Sequence, residues 1–469
     1  MPVANPLAYL MLCLWPVASW ILFTKLDPAR ALIWTILGAY MLLPPVIAID
    51  LPMVPDFNKY SIANLSAAAA VLFLLGERFD IWPKSRLGQG FLVIFTLSPI
   101  ATVLTNTDAI YFFQAALPAM RIYDSLAVSA TQFIALLPFL LARKFLATDE
   151  GMRAILVALV IAGLIYSVPM LWEARMSPQL NLRIYGFFQH DFSQAIRFGG
   201  FRPFVFMPHG LWVAFFALMC FVASVALFRV GPAPERPKQF VILLYLAVVL
   251  LFCRSAGPVV YAMALVPLVL FVSRRWQVLI SAALVAVVIG YPLLRGLHLV
   301  PVDDLLNLAL SVNEERGRSL EFRLRNEELL LARAEERPLF GWGLYGRGLL
   351  HDPVTGRISI IADGGWIIVL GAFGWFGYIG LFGLLALPVA LLAREALRQD
   401  KAAISPYTAA VCLLLAFNLV DLLPNDTHIP FTWLMAGAIL GRAEALRAAY
   451  HAQRKAAFEA RLPAGRTVL

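Results

Sequence analysis

The sequence predicts an all-α, polytopic integral membrane helix bundle of about 12–13 transmembrane helices, with a large extramembrane loop that contains short helices. Three observations lead there. With 61% hydrophobic residues, 14% charged residues and a mean hydropathy of +0.78, a chain of 469 residues has too little polar surface for a soluble globule and takes lipid as its solvent. Its apolar residues gather into runs close to the length of about 20 residues that crosses a hydrocarbon layer. Its Lys and Arg gather in alternate connections between those runs, which is the topological signal of a chain that crosses repeatedly.

In order, the runs are 5–24, 31–48, 62–76, 89–105, 126–142, 153–172, 204–228, 239–253, 257–273, 277–294, 363–393, 406–423 and 430–447, thirteen in all. The first has no basic n-region and no small-residue cleavage site, so it reads as a retained span. Cys13, Cys220, Cys253 and Cys412 all fall inside apolar runs, where a thiol behaves as a small core residue; neither a disulfide framework nor a metal site is expected. The carboxylates near the expected anion site are scattered singly rather than clustered as Mg²⁺ needs, and no cofactor is expected. A formal charge of +9 belongs to topology in such a chain, and no nucleic-acid partner is expected.

The basic tail 442–469 orients the bundle. Placing it in the cytoplasm puts Lys25, Arg30, Arg78, Lys84, Arg86, Arg143, Lys144, Arg153, Arg229, Arg236, Lys238, Arg274, Arg275, Arg394, Arg398 and Lys401 on the same side, and leaves Met1–Pro6 outside. The short outer loops hold only Lys59, Arg121 and Arg254. Two outer segments break the pattern, with four positive residues in 173–203 and nine arginines in 295–362. Positive charge concentrated where topology disfavours it calls for an anion.

The segment Ser177–Leu211 carries the first half of that expected site. Pro203 and Pro208 interrupt helix, and Pro208 stands at the first turn of the next span, which puts His209 at a helix N-terminus, where free N–H groups favour a phosphate. Arg202 reads either as an anion ligand or as an anchor that snorkels to the headgroups. His209 reads as a ligand, a base or a hydrogen-bonded structural histidine. The pair His190–Asp191 reads as a binding pair or an ordinary loop pair. Arg254, in the tight turn Cys253-Arg254-Ser255-Ala256-Gly257-Pro258 between two apolar spans, is costly near lipid unless it faces a cavity or a partner.

The large loop reads as two amphipathic helices, 303–313 and 319–337, with a Glu321/Arg325 pair at i,i+4 spacing. Pro338 ends the second. The return Phe340-Gly341-Trp342-Gly343-Leu344-Tyr345-Gly346 has enough glycine for backbone to approach a ligand. Most of the loop's charges read as a solvated helix laced with ion pairs. Arg323 and Arg325 are set apart because the return brings them towards Asp363, which itself reads as a base or as the N-cap of its span.

The run from Arg323 through Glu336-Arg337-Pro338-Leu339-Phe340-Gly341-Trp342-Gly343 to Asp363-Gly364-Gly365-Trp366-Ile367, with Gly374 and Gly377 beyond, resembles the signature of the O-antigen ligase and O-antigen polymerase superfamily. Asp363 and Gly364 stand where that family has His-Asn. The resemblance implies a multi-pass protein of the bacterial inner membrane. It would move a glycan from undecaprenyl diphosphate to an acceptor hydroxyl on the periplasmic side, with inversion and without metal or nucleotide sugar. Fixed arginines suit a diphosphate leaving group in the absence of a metal. On this reading Arg254 acts on the leaving group, with Arg202, Arg323, Arg325, His190 and Asp191 binding substrate and Asp363 or His209 as base. The implied partners are the lipid-linked glycan, membrane lipid, a flippase and a chain-length regulator. A repeat-unit polymerase is the favoured member, a ligase to lipid A core the alternative, and a lipid-linked oligosaccharide flippase the alternative of another class.

Overall fold

The computed structural model describes residues 4–51, 54–312, 314–400 and 403–459; Lys401, Arg461 and Arg466 of the expected basic side lie outside them. Among the described residues the chain is 72% helical, with 16 helices and almost no sheet. Every one of the thirteen apolar runs falls on a helix: α1 (Pro6–Lys25), α2 (Pro28–Leu42), α3 (Lys59–Ala69), α4 (Arg86–Leu104), α5 (Ile122–Phe145), α6 (Asp149–Met176), α8 (Gly210–Val230), α9 (Arg236–Phe252), α10 (Ala256–Phe271), α11 (Arg274–Gly296), α14 (Gly365–Arg398), α15 (Pro406–Asp421) and α16 (Pro430–Glu459). Seven of them (α1, α4, α5, α6, α8, α11 and α14) are long and apolar enough to cross a membrane unaided. The remaining helices, α7 (Leu180–Tyr185), α12 (Val302–Val312) and α13 (Glu314–Glu335), lie in connections.

The core is a helix-on-helix interface throughout. Trp433 of α16, 1% exposed, packs its ring 5.4 Å from Phe95 of α4 and 6.0 Å from Phe139 of α5. Short connections gather at one end, where the buried Arg143 pairs with Glu444 at 2.8 Å and ties α5 to α16. The long connections (43–58, 105–121, 177–209, 297–364 and 422–429) gather at the other. Asn5 reaches that long-loop end too, donating its backbone N–H to the Tyr185 carbonyl.

Two local readings are corrected. The second loop helix begins at Glu314 rather than Ser319, and Pro208 precedes α8 in a connection, 177–209, that starts only where α6 ends at Met176. The glycine-rich return approaches backbone, but the backbone is that of α14. Gly374 breaks α14 with φ +62°, and a Cβ there would stand 2.4 Å from the Leu339 carbonyl. The N–H groups of Trp342 and Gly343 donate to the carbonyls of Gly371 and Ala372, and those of Trp375 and Phe376 donate to Pro338 and Leu339. Thr102 and Asn106 of the neighbouring α4 end bond Phe340 O and Gly341 O. Irregular backbone is thus satisfied inside protein, as lipid requires.

Candidate functional site

The segment 177–209 has no continuous helix, so its backbone groups need partners, and buried charges supply them. The Glu173 carboxylate, 1% exposed, accepts N–H bonds from Leu180, Phe204 and Val205 at 2.7–2.9 Å. The Lys59 ammonium, 2% exposed, donates to the carbonyls of Tyr40, Leu43 and Phe206. Lys59 is therefore a brace between α3, the end of α2 and this segment. So held, the segment presents a hairpin of β5 (Ile196–Arg197) and β6 (Gly200–Phe201), then Arg202, then His209 as N-cap of α8. Pro208 stands one residue before that cap, outside the first turn.

His209 is the hub. Its Nδ1 accepts the Leu211 N–H at 3.1 Å, so the ring proton of the neutral form sits on Nε2 and faces away from the helix. Burial pushes its pKa down to about 3, helped by the charges of Arg202, His190, Arg197 and Arg323. His190 stacks edge-on at 4.6 Å between centroids. Asp191 orients the local turn rather than His190: its carboxylate accepts Ser193 N–H, and its own N–H donates to His190 Nδ1.

Arg202 is buried at 5% exposure and donates through Nε and Nη2 to Ser255 Oγ, which replaces the snorkelling alternative with a fixed position. Arg254, next to that serine, adopts a left-handed backbone at φ +50°. Its Nη1 donates to the carbonyls of Phe198 and Arg197, and its guanidinium lies over Gly200, where a Cβ would come within 2.4 Å of it. The turn and the hairpin thus bring Arg202 and Arg254 together. Beside Arg254 opens an apolar groove of about 470 Å³ walled by Phe198, Leu251, Phe252, Val259 and Val260.

Arg323 of α13 reaches the same region from the large loop. Its Nε stands 3.5 Å from Asp363 Oδ2, and its Nη1 donates to Pro424 O and Asn425 Oδ1. Asp363 does not cap α14: the cap position is Gly364, with no side-chain bond. Arg325 is not brought in. Two residues from Arg323 it faces another side of the helix, is exposed, and forms no ion pair with Glu321 among the described residues. The other loop arginines are mostly structural. Arg333 and Arg337 stack on the Trp342 ring at 3.4 and 4.3 Å, and Arg347, 1% exposed, clamps the carbonyls of Pro118 and Asp108.

The turn between α15 and α16 completes the site. The buried Asp421 accepts from Asn425 and Thr427, and the Asn425 carbonyl takes the Gly365 N–H, so the turn is docked on the start of α14. This carries Asp426 to Gly365, where a Cβ would lie 3.0 Å from its Oδ1. Asp426 keeps exposed surface while protein crowds its flanks, and that desolvation pushes its carboxyl up to about 6. It makes no side-chain hydrogen bond or ion pair among the described residues. Sequence reasoning missed Asp426 and Arg197; an acidic residue in Pro424-Asn425-Asp426-Thr427-His428-Ile429-Pro430 between two spans was the available signal. Among the described residues no three His, Cys, Asp or Glu side chains gather as a metal site. No protein-family model matches the chain, and no curated protein matches it.

Proposed function

We propose that this multi-pass membrane protein is a metal-independent inverting glycosyltransferase that polymerises undecaprenyl-diphosphate-linked repeat units, working at the periplasmic face of the bacterial inner membrane. The observation that carries the reading is the convergence of Arg197, Arg202, His190 and Arg323 on a neutral His209 at the N-terminus of α8. Fixed guanidinium groups and a helix N-terminus together are the surroundings a diphosphate needs. The apolar groove beside Arg254 suits the polyprenyl chain attached to it.

In the reaction the acceptor hydroxyl oxygen attacks the anomeric carbon, the bond from that carbon to the diphosphate oxygen breaks, and undecaprenyl diphosphate leaves with the electron pair. The hydroxyl proton goes to Asp426, whose carboxylate is without a competing bond and has a pKa near working pH. Asp363, already paired with Arg323, and His209, whose Nδ1 is committed to Leu211, are less suited to take it. His209 Nε2–H instead donates to the developing charge on the leaving oxygen.

The test is complementation of a deletion strain with wild type, Arg202→Lys, His209→Ala and Asp426→Asn at matched membrane levels. Wild type restores long polymer and the variants leave single repeat units on lipid carrier. Polymer of normal length from all three variants overturns the assignment.

A further inference from the structure

A cavity of about 770 Å³ lies between α3, α5 and the glycine-rich return, lined by none of the cationic-site residues. Tyr60 joins the two: its ring is 6.5 Å from Trp212 in the first turn of α8, and its hydroxyl is within electrostatic reach of Asp426. The lining chemistry is the opposite of the diphosphate site. Asp50, Asp56 and Asp124 supply carboxylates, and no Lys, Arg or His is among the described residues that line it. Two inner polar atoms have no partner, Tyr60 Oη and Asn64 Oδ1. Asn64 is 2% exposed and its Nδ2 is spent on Ile134 O, so its unpartnered oxygen is fixed in place. Burying such acceptors costs free energy unless a donor arrives.

At the mouth, Tyr345 is held in a left-handed backbone at φ +60° and donates its hydroxyl to Asp124 at 2.9 Å. Strained backbone in a non-glycine residue recurs at ligand clamps. An aromatic ring and fixed carboxylate and amide oxygens around a hollow form a surface for pyranose hydroxyls, which are donors in need of acceptors.

We infer that this cavity binds an uncharged pyranose unit, the non-reducing end of the acceptor glycan, and selects against uronic acids and phosphorylated sugars. Its role as acceptor subsite rests on the transferase reading; its sugar chemistry does not. Anionic sugars are refused because three carboxylates line the cavity and no Lys, Arg or His does among the described residues.

Saturation-transfer NMR on the full-length protein in detergent tests this, using the methyl glycosides of glucose, galactose, N-acetylglucosamine and rhamnose against methyl glucuronoside. At least one neutral glycoside gives a signal, and the glucuronoside signal is weaker by roughly tenfold or more. Asn64→Leu abolishes the neutral signal. Asp56→Lys, at an exposed rim position whose side chain makes no hydrogen bond or ion pair among the described residues, narrows or reverses the preference. No neutral signal, equal signals from both classes, or signals unchanged in both variants overturn the inference. Lipid-linked polymer made by the same preparation separates the two readings. Polymer without a cavity-dependent signal removes the cavity alone, and a cavity-dependent signal in protein that makes no polymer removes the transferase reading.

Discussion

Asp426 and His209 are linked through Arg323, whose charge reaches His209 and whose Nη1 bonds Asn425; their pKa values are driven in opposite directions, which on the proposed mechanism sets the pH behaviour. Desolvation raises Asp426 to about 6, so its base form is the protonation state found above that pH; turnover should rise through about pH 6 and level off above it. His209, pushed to about 3, stays neutral across the same range and adds no second limb. A pH–rate profile checks this, and Asp426→Asn should remove the rise together with most of the activity. Asp363→Asn should behave differently. Its half-exposed pair with Arg323 is worth at most about 1 kcal/mol, which bounds the loss to roughly fivefold; loss on the scale of Asp426→Asn would move the base to Asp363. Arg254→Lys keeps the charge but loses the planar guanidinium that lies over Gly200 and bonds the Arg197 and Phe198 carbonyls through Nη1, so it should loosen the hairpin and lower turnover at unchanged expression. The candidate arginines were legible in the sequence because positive charge stood where topology disfavours it. Asp426 was not, because a single acid near a helix start looks like any cap until the fold crowds its flanks.

At the scale of elements, the break in α14 is what places the loop. Gly374 needs its left-handed backbone and has no room for a side chain against Leu339, while Gly90 of α4 has nothing within 4 Å of an added Cβ. Gly374→Ala should therefore lower stability by roughly 1–3 kcal/mol from backbone strain alone, and more from the clash with rigid backbone. Gly90→Ala should be neutral or slightly stabilising. Thermal midpoints in one detergent compare the two; equal midpoints would mean the return is not docked in the break. Length and hydropathy made the thirteen apolar helices readable, and seven of them are long and apolar enough to cross a membrane, where a segment must satisfy its own backbone. The same signals could not tell that the Phe340–Gly346 glycines serve a helix rather than a ligand, because close approach demands glycine whatever approaches. Nor could charge pattern show that Arg333, Arg337 and Arg347 are spent on Trp342 and loop carbonyls: a guanidinium that braces a loop and one that awaits a phosphate are the same residue in sequence.

On the scale of the whole molecule, two ends differ in kind. One has short connections and a buried Arg143–Glu444 pair. The other has the long loops, the cationic cluster about His209, the apolar groove at Arg254 and the carboxylate-lined cavity at Tyr60. On the proposed reading, a lipid-borne anion enters from the side and a polar acceptor from solvent. Arginine replaces a metal in this account, so the most direct measurement is made on purified protein in liposomes, supplied with an undecaprenyl-diphosphate-linked repeat unit in excess EDTA. The account predicts polymer together with released undecaprenyl diphosphate in equal amounts to bonds formed, undiminished by the chelator and lost in Arg202→Lys and Asp426→Asn. Activity that disappears in EDTA and returns with Mg²⁺ or Mn²⁺, or polymer formed equally well by both variants, would contradict it.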